Sequence, residues 1–142
     1  MLHMKSVNMN NNGIDTGYLG EEIAAQYLKN KGFSVITRNY RKKWGEIDLV
    51  TSKEGKIHFI EVKSVSCEIG QGLEEDISRI TEKHLPEERV HEQKSKRIFR
   101  AIQSYLEEYE EEGEWALDIV AVFIDPKTKK ALVRSLEDVT LS

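Results

Sequence analysis

Three ionisable residues sit inside short apolar runs, where charge is costly: Asp48 in "GEIDLV", and Glu61 and Lys63 in "FIEVKS". Strand alternation puts Glu46, Asp48 and Val50 on one face and Ile47 and Leu49 on the other, so Asp48 is bracketed by core-forming neighbours. In the second run Ile57, Phe59, Glu61 and Lys63 share a face, which sets a carboxylate and an amine beside a large apolar ring. Charged side chains seldom stand there without a reason. The turn-prone "KEG" between the runs predicts a hairpin, which brings Asp48 and Glu61 to comparable heights. Two carboxylates held that close repel, and at least one is driven toward its neutral form unless a divalent cation and Lys63 compensate. Oxygen ligation by few protein groups suits Mg²⁺, which keeps several of its waters.

A third carboxylate can join them from a helix. Glu21 falls in the row of Ala24, Ala25 and Leu28, whereas Glu22 falls in the row of Gln26 and Lys29, so Glu21 tilts toward the core and Glu22 toward water. Lys94 continues the stripe of Ile98, Ala101 and Tyr105 toward the start of a later helix and can reach the same place. Plainer readings stand beside these: a salt bridge on an edge strand for Asp48, Glu61 and Lys63, an acid favoured by the helix dipole for Glu21, a lysine whose stem covers apolar surface for Lys94. Asp118 interrupts an apolar strand and is read as a structural acid bonded to backbone or to a buried base. For contact with nucleic acid the chain offers Arg38, Arg41, Lys42 and Lys43 joined with Tyr40 and Trp44, and a helix-start group of Lys94, Lys96, Arg97 and Arg100. Basic residues interleaved with aromatics fit phosphate contact and stacking on exposed bases, though a turn full of Lys and Arg is also simply a soluble turn.

Holding such residues together takes a sheet with helices against it, and the composition allows one. A chain of 142 residues with 39% hydrophobic content suits a single domain, since single cores form at roughly 100 to 200 residues. A net charge of −4 and a pI near 5.6 exclude a protein that coats nucleic acid through bulk positive charge, so any DNA contact must be local. The single cysteine, Cys67, cannot form an intrachain disulfide and reads as a bystander thiol in a reducing cytoplasm. The start "MLHMKSVNMNNNG" lacks the apolar core of a signal sequence, and no stretch approaches the ~20 apolar residues of a membrane helix, so a soluble cytoplasmic protein is expected.

Residues 1–13, Asn-rich and aperiodic, are expected as a flexible tail before a domain spanning 14–142. Leu19, Ile23, Ala24, Tyr27 and Leu28 predict a helix from about Asp15 to Lys31, capped by Asp15 or Thr16 and ended by Gly32. Strands follow at "FSVITRNY", "GEIDLVTS" and "KIHFIEVKS", then a long charged loop over about 65–85. Pro86 can open the next helix, whose stripe runs Ile98, Ala101, Ile102, Tyr105, Leu106, Tyr109, and the acidic run Glu107 to Glu114 reads as its solvated end. "WALDIVAVFI" predicts a strand buried on both faces, and "DPKTKK" turns the chain into a last strand, "ALVRSL".

The spaced set Glu21, Asp48 within "GEIDLV", and Glu61 and Lys63 within "FIEVKS" resembles the PD-(D/E)XK nuclease superfamily, which includes restriction enzymes and archaeal Holliday-junction resolvases. More narrowly, "GYLGEEIAAQYLKNKGFSVITRNYRKKWGEIDLV", "FIEVKS", "EQKSKRIFRAIQSYL" and "LDIVAV" resemble the bacterial YraN-like family of predicted endonucleases, over residues 15–135. The resemblance implies an α/β fold, a single restriction-endonuclease-like domain with a mixed central sheet of about five strands flanked by helices. It implies a Mg²⁺- or Mn²⁺-dependent endonuclease that hydrolyses phosphodiester bonds in structured or branched DNA during repair or recombination. Carried over, the metal falls to Asp48 and Glu61 with the Val62 carbonyl as a further ligand, Glu21 completes the shell directly or through water, and Lys63 orients or helps deprotonate the attacking water. The partners implied are branched or single-stranded DNA and no membrane; whether two copies form a homodimer, and whether a replication or repair protein docks on the acidic loop, stay open.

Where the family carries a Thr-Arg pair after "EVK", this chain has Ser64 and Val65, so one cation that could hold a phosphate is missing. A second class of function therefore stands beside the nuclease, a non-catalytic nucleic-acid or protein-binding module with the same fold, and a third is a structural subunit. Crowding of the carboxylates further implies that Asp48→Asn leaves metal-free stability unchanged or raises it.

Overall fold

The structure is a computed structural model that describes residues 2–6, 16–69 and 92–139, with side chains described for 17–69 and 95–139. Helix α1 (Thr16–Asn30) ends where its glycine requires. Gly32 takes φ 93°, its N–H meets the Lys29 carbonyl at 3.1 Å, and the Phe33 N–H reaches back to the Leu28 carbonyl at 3.0 Å. That pair of bonds needs a left-handed residue just past the last turn. Strands β2 (Ser34–Lys42), β3 (Gly45–Lys53) and β4 (Lys56–Ser66) follow as an antiparallel meander. The β3–β4 turn places Glu54 at φ 51° and Gly55 at φ 79°, the two left-handed residues that a tight hairpin with native twist demands.

Helix α2 (Glu92–Glu108) precedes β5 (Trp115–Asp125), which lies parallel to β4, and β6 (Lys130–Leu136) returns antiparallel to β5. The helix stops with Glu110 in left-handed conformation at φ 50° and the Glu111 N–H on the Leu106 carbonyl at 2.9 Å, so Tyr109 lies beyond the last turn and is exposed. The expected five strands are all present. A sixth strand, β1 (Leu2–Ser6), pairs with β6 and corrects the reading of residues 1–13 as a tail throughout. Its alternating "LHMK" was too short to carry a strand assignment from sequence. Residues 7–15 and 70–91, which include the start of the domain boundary and most of the charged loop, lie outside the described residues.

The strand order β1-β6-β5-β4-β3-β2 buries β5 and β4 in the middle. One face of the sheet packs against α1 through Ile23, Ala24, Tyr27 and Leu28 with Leu49, Ile60, Val120 and Val122. The other packs against α2 through Ile98, Ala101, Ile102 and Tyr105 with Ile47, Val50, Phe59 and Leu117. Among the described residues the result is a three-layer α/β/α arrangement with one helix on each face. Edge-to-face rings join the second layer, Phe59 to Tyr105 at 5.5 Å and to Trp115 at 5.7 Å.

Both helices are seated by glycines that tolerate no side chain. A Cβ on Gly20 would stand 1.7 Å from Ser64 Oγ, and one on Gly45 would stand 2.1 Å from the Arg97 backbone carbonyl. A side chain can turn away, but the α2 backbone must move as a unit. Gly45→Ala is therefore expected to lower stability by about 1–3 kcal/mol. Urea denaturation measures it, and an unchanged midpoint would mean that α2 does not sit against the start of β3.

Candidate active site

Asp48 lies where strand alternation breaks. The pairing of β2 with β3 steps from Arg38↔Leu49 to Tyr40↔Ile47, and Asn39, opposite Asp48, adopts φ 52°. Asn is one of the few residues that tolerates this conformation. Ile47 consequently packs on the α2 side and Leu49 on the α1 side, which corrects the expectation that the two share a face. Asp48 is the point at which the strand turns over.

The β3–β4 ladder opens at the same level. Its rungs run from Lys53↔Lys56 to Leu49↔Ile60, and the next step would set Asp48 opposite Glu61. There, the Val62 N–H donates to Asp48 Oδ2 at 2.7 Å, so the carboxylate takes a hydrogen bond from the neighbouring strand's backbone. The β4–β5 register continues through Glu61↔Ile119 and Lys63↔Ala121, which holds Glu61 and Lys63 on one face, the face of Phe59. Glu61 is buried and Lys63 half-buried.

Burial pushes the Asp48 carboxyl up to about 7, with the nearby Glu61 charge adding to the rise, the Val62 N–H opposing it, and Glu21 and a hydrogen bond shared with Glu61 adding further. The three carboxylates predicted from sequence are thus electrostatically joined, Asp48 and Glu61 in direct contact and Glu21 from the first turns of α1. Glu21 is half-buried while Ala24, Ala25 and Leu28 of its row are core, so its tilt toward the sheet is as expected. Glu22 turns outward to pair with Arg38.

Among the described residues no three His, Cys, Asp or Glu side chains stand together as a ready-made ligand group for a metal ion. The donor chemistry nevertheless fits a small hard dication: two carboxylates in contact, one of them driven toward neutrality by burial and then by the other's charge, with the Val62 carbonyl on the intervening residue of β4. Such an ion would be held by two protein carboxylates and complete its shell with water.

The residues expected to touch nucleic acid are divided differently. Tyr40 is core, not an exposed stacking ring: it meets Tyr105 edge-on at 5.3 Å and donates its hydroxyl to Glu108 Oε2 at 2.7 Å. Its place in an apolar layer follows from the turn-over at Asn39, which swings it to the α2 side. Lys42 lies 5.2 Å over the Tyr40 ring and 3.5 Å from Glu108 Oε1, and Arg41 pairs with Glu46 at 3.2 Å. Trp44 is partly exposed and donates its indole N–H to Ser104 Oγ at 2.8 Å. Lys43, Lys96, Arg97 and Arg100 are exposed. The Lys94 side chain lies outside the described residues.

Sequence reasoning missed Asn39, although an asparagine inside the strand-like "ITRNYR" was a signal, being disfavoured in regular strands. It also missed His58, whose Nδ1 lies 2.7 Å from Asp118 Oδ2. Asp118 accepts the Asp138 N–H on its other oxygen at 2.8 Å, so it bonds both a buried base and backbone, as read. Asp125 closes the final turn. Burial alone would raise its carboxyl, but the N–H groups of Ile69, Lys127 and Thr128 hold it below the ordinary value.

A family model described as "Uncharacterised protein family UPF0102" matches residues 20–122, which include Glu21, Asp48, Glu61 and Lys63. Similar chains carry the same family name. A UPF0102 protein of Campylobacter lari is 36% identical over 77% of this chain and 84% of its own length. One from Helicobacter pylori is 32% identical over 80% of this chain and 86% of its own length. One from Chloroherpeton thalassium is 29% identical over 91% of both chains.

The raised Asp48 carboxyl fixes the sign of a pH effect. Between the ordinary value of 3.8 and about 7 the unfolded chain has released a proton that the folded chain keeps. Without metal, stability should therefore be greatest near the lower value, fall as pH rises, and level off above the upper one, by at most about 4 kcal/mol. Asp48→Asn keeps an oxygen for the Val62 N–H and removes the charge, so it should flatten this slope and melt higher than wild type at pH above 7. Thermal melts in chelator test it; a variant that melts lower there would identify the carboxylate as a structural partner.

Proposed function

We propose that this chain, which belongs to the uncharacterised protein family UPF0102, is a divalent-metal-dependent DNA endonuclease whose centre is the Asp48–Glu61 contact at the opening of the β3–β4 ladder. The single observation that carries this reading is that contact: two carboxylates on neighbouring strands, one bonded to the Val62 N–H, with Lys63 two residues along the same face. Stability alone gives no reason to bury like charges together, and a hard dication does. The likeness of the four residues to the PD-(D/E)XK pattern supports nuclease chemistry over other metal-assisted reactions.

Mg²⁺ or Mn²⁺, when bound, would supply an acidified water and stabilise charge on the phosphoryl oxygens. The chain's own groups do the rest. Asp48, fixed by the Val62 N–H, and Glu61 would hold the ion, with the Val62 carbonyl and Glu21 completing the ligand set directly or through water. Lys63, beside Glu61, would orient the attacking water and offset charge gathering on the phosphate. Structured or branched DNA is the substrate we infer, because a chain of net charge −4 cannot hold DNA by bulk attraction and must read a local feature.

One observation favours a second reading, a binding module without turnover. Arg38, Arg41 and Lys42 each pair with one of the chain's own carboxylates, and Ser64 and Val65, which follow Lys63 on β4, offer no cation. Incubation with branched and linear DNA in Mn²⁺ separates the two. The nuclease reading expects cleavage that stops with chelator, is abolished in Asp48→Ala, and drops about 10²–10³-fold in Lys63→Ala. Cleavage of equal rate in all three proteins would contradict it, and tight binding without turnover that ignores chelator would favour the module.

A further inference from the structure

The far end of α1 carries a concavity in which charged and aromatic groups meet. A cleft of about 390 Å³ opens between the last turn of α1, the β3–β4 hairpin and the end of β6, lined by Tyr27, Lys31, Phe33, Lys53, Ser135 and Glu137. Its size falls at the lower end of the roughly 300–1,000 Å³ range of small-ligand sites. Its two ammonium groups are placed by aromatic rings: Lys31 Nζ lies 5.7 Å from the Tyr27 ring centroid and Lys53 Nζ lies 4.9 Å from that of Phe33. Lys53 also runs beside Gly32, where an added Cβ would meet its Cε at 3.8 Å, so both lysines converge on the residues that end α1.

The floor is apolar and aromatic. Tyr27 and Phe33 are buried, and Phe33 rests edge-on against His58 at 5.1 Å, which fixes the ring in place. Burial and the neighbouring charge of Glu137 both raise the Tyr27 hydroxyl, so the acidic side of the cleft lies close to that ring. Two cations, an aromatic floor, a hydroxyl and one carboxylate are the groups that a phosphate on a planar, amine-bearing heterocycle requires.

We propose that this cleft binds a nucleotide, with the phosphate at Lys31 and Lys53, the base against the Phe33 and Tyr27 side, and an exocyclic amine or sugar hydroxyl toward Glu137 and Ser135. The proposal rests on the nuclease reading only for the source of the nucleotide. Lys53 follows Asp48 by five residues on β3, about 16 Å at the usual rise of a strand. That is about five nucleotide steps at 3.4 Å each along one DNA strand. That separation is within the length of a short oligonucleotide, so the oligonucleotide arm of the test below decides whether cleft and acidic centre share one strand.

Backbone-amide NMR of the full chain in chelator tests this without any cleavage. A deoxynucleoside monophosphate should shift the amides of Lys31, Gly32, Phe33, Lys53 and Ser135, while inorganic phosphate and the free nucleoside bind at least about tenfold more weakly. The double variant Lys31→Gln, Lys53→Gln should lose at least about tenfold in affinity while its amide spectrum away from the cleft stays that of the folded wild type. A single-stranded oligonucleotide that binds more tightly than the monophosphate assigns the cleft to a strand, and equal affinity assigns it to a free nucleotide. Absent shifts, shifts that persist in the double variant, or inorganic phosphate binding as well as the nucleotide would overturn the proposal. Nucleotide binding here by a protein that cleaves nothing would count against the nuclease reading alone, and cleavage by a protein whose cleft stays silent would count against the cleft alone.

Discussion

Two like charges held in contact inside a sheet are the constraint around which this domain is arranged. Carboxylates do not approach one another in a partly buried site unless the surrounding backbone leaves them nowhere else to go. Here Asn39 turns β2 over, β3 turns with it, and the rung that would have closed the ladder between Asp48 and Glu61 is replaced by a bond from the Val62 N–H to the Asp48 side chain. The two glycine contacts, Gly20 on Ser64 and Gly45 on the Arg97 backbone, press a helix onto each face near this opening. Glu21 reaches the pair from one side while the Phe59 layer backs Glu61 from the other. Local irregularity and tight helix seating thus serve the same few atoms.

The cations follow a different rule. Arg41 and Glu46 are both well exposed, and exposed pairs of this kind contribute little to stability. They can be exchanged for other partners at small cost, so an arginine paired in the free protein remains available to a phosphate. The buried polar groups cannot be exchanged in that way. Asp118 and Asp125 are engaged by His58 and by backbone N–H groups; Asp118 ties β5 to β4 and to the segment after β6, and Asp125 fixes the turn into β6.

Much of this was legible in the sequence because periodicity and turn chemistry agree. The stripe from Ile98 to Leu106, the apolar run of β5, Gly32 after α1 and the tight turn at Glu54 and Gly55 each point to one local structure, and each forms it. The meeting of Asp48 and Glu61 also followed from hairpin register. What alternation could not give was the side on which Ile47 and Tyr40 would pack, since one left-handed residue in a strand reverses every assignment beyond it. Pairings across long separations, such as His58 with Asp118 or Tyr40 with Glu108, leave no local pattern at all. The short strand β1 lacked the length that makes a period visible.

The claim that this crowded pair exists to hold a dication is tested most directly by titrating Mn²⁺ into the metal-free protein at pH 8 and following water-proton relaxation. Saturable binding that is lost in both Asp48→Asn and Glu61→Gln is the expected result. Binding that persists undiminished in both variants, or no binding by the wild type, would contradict it.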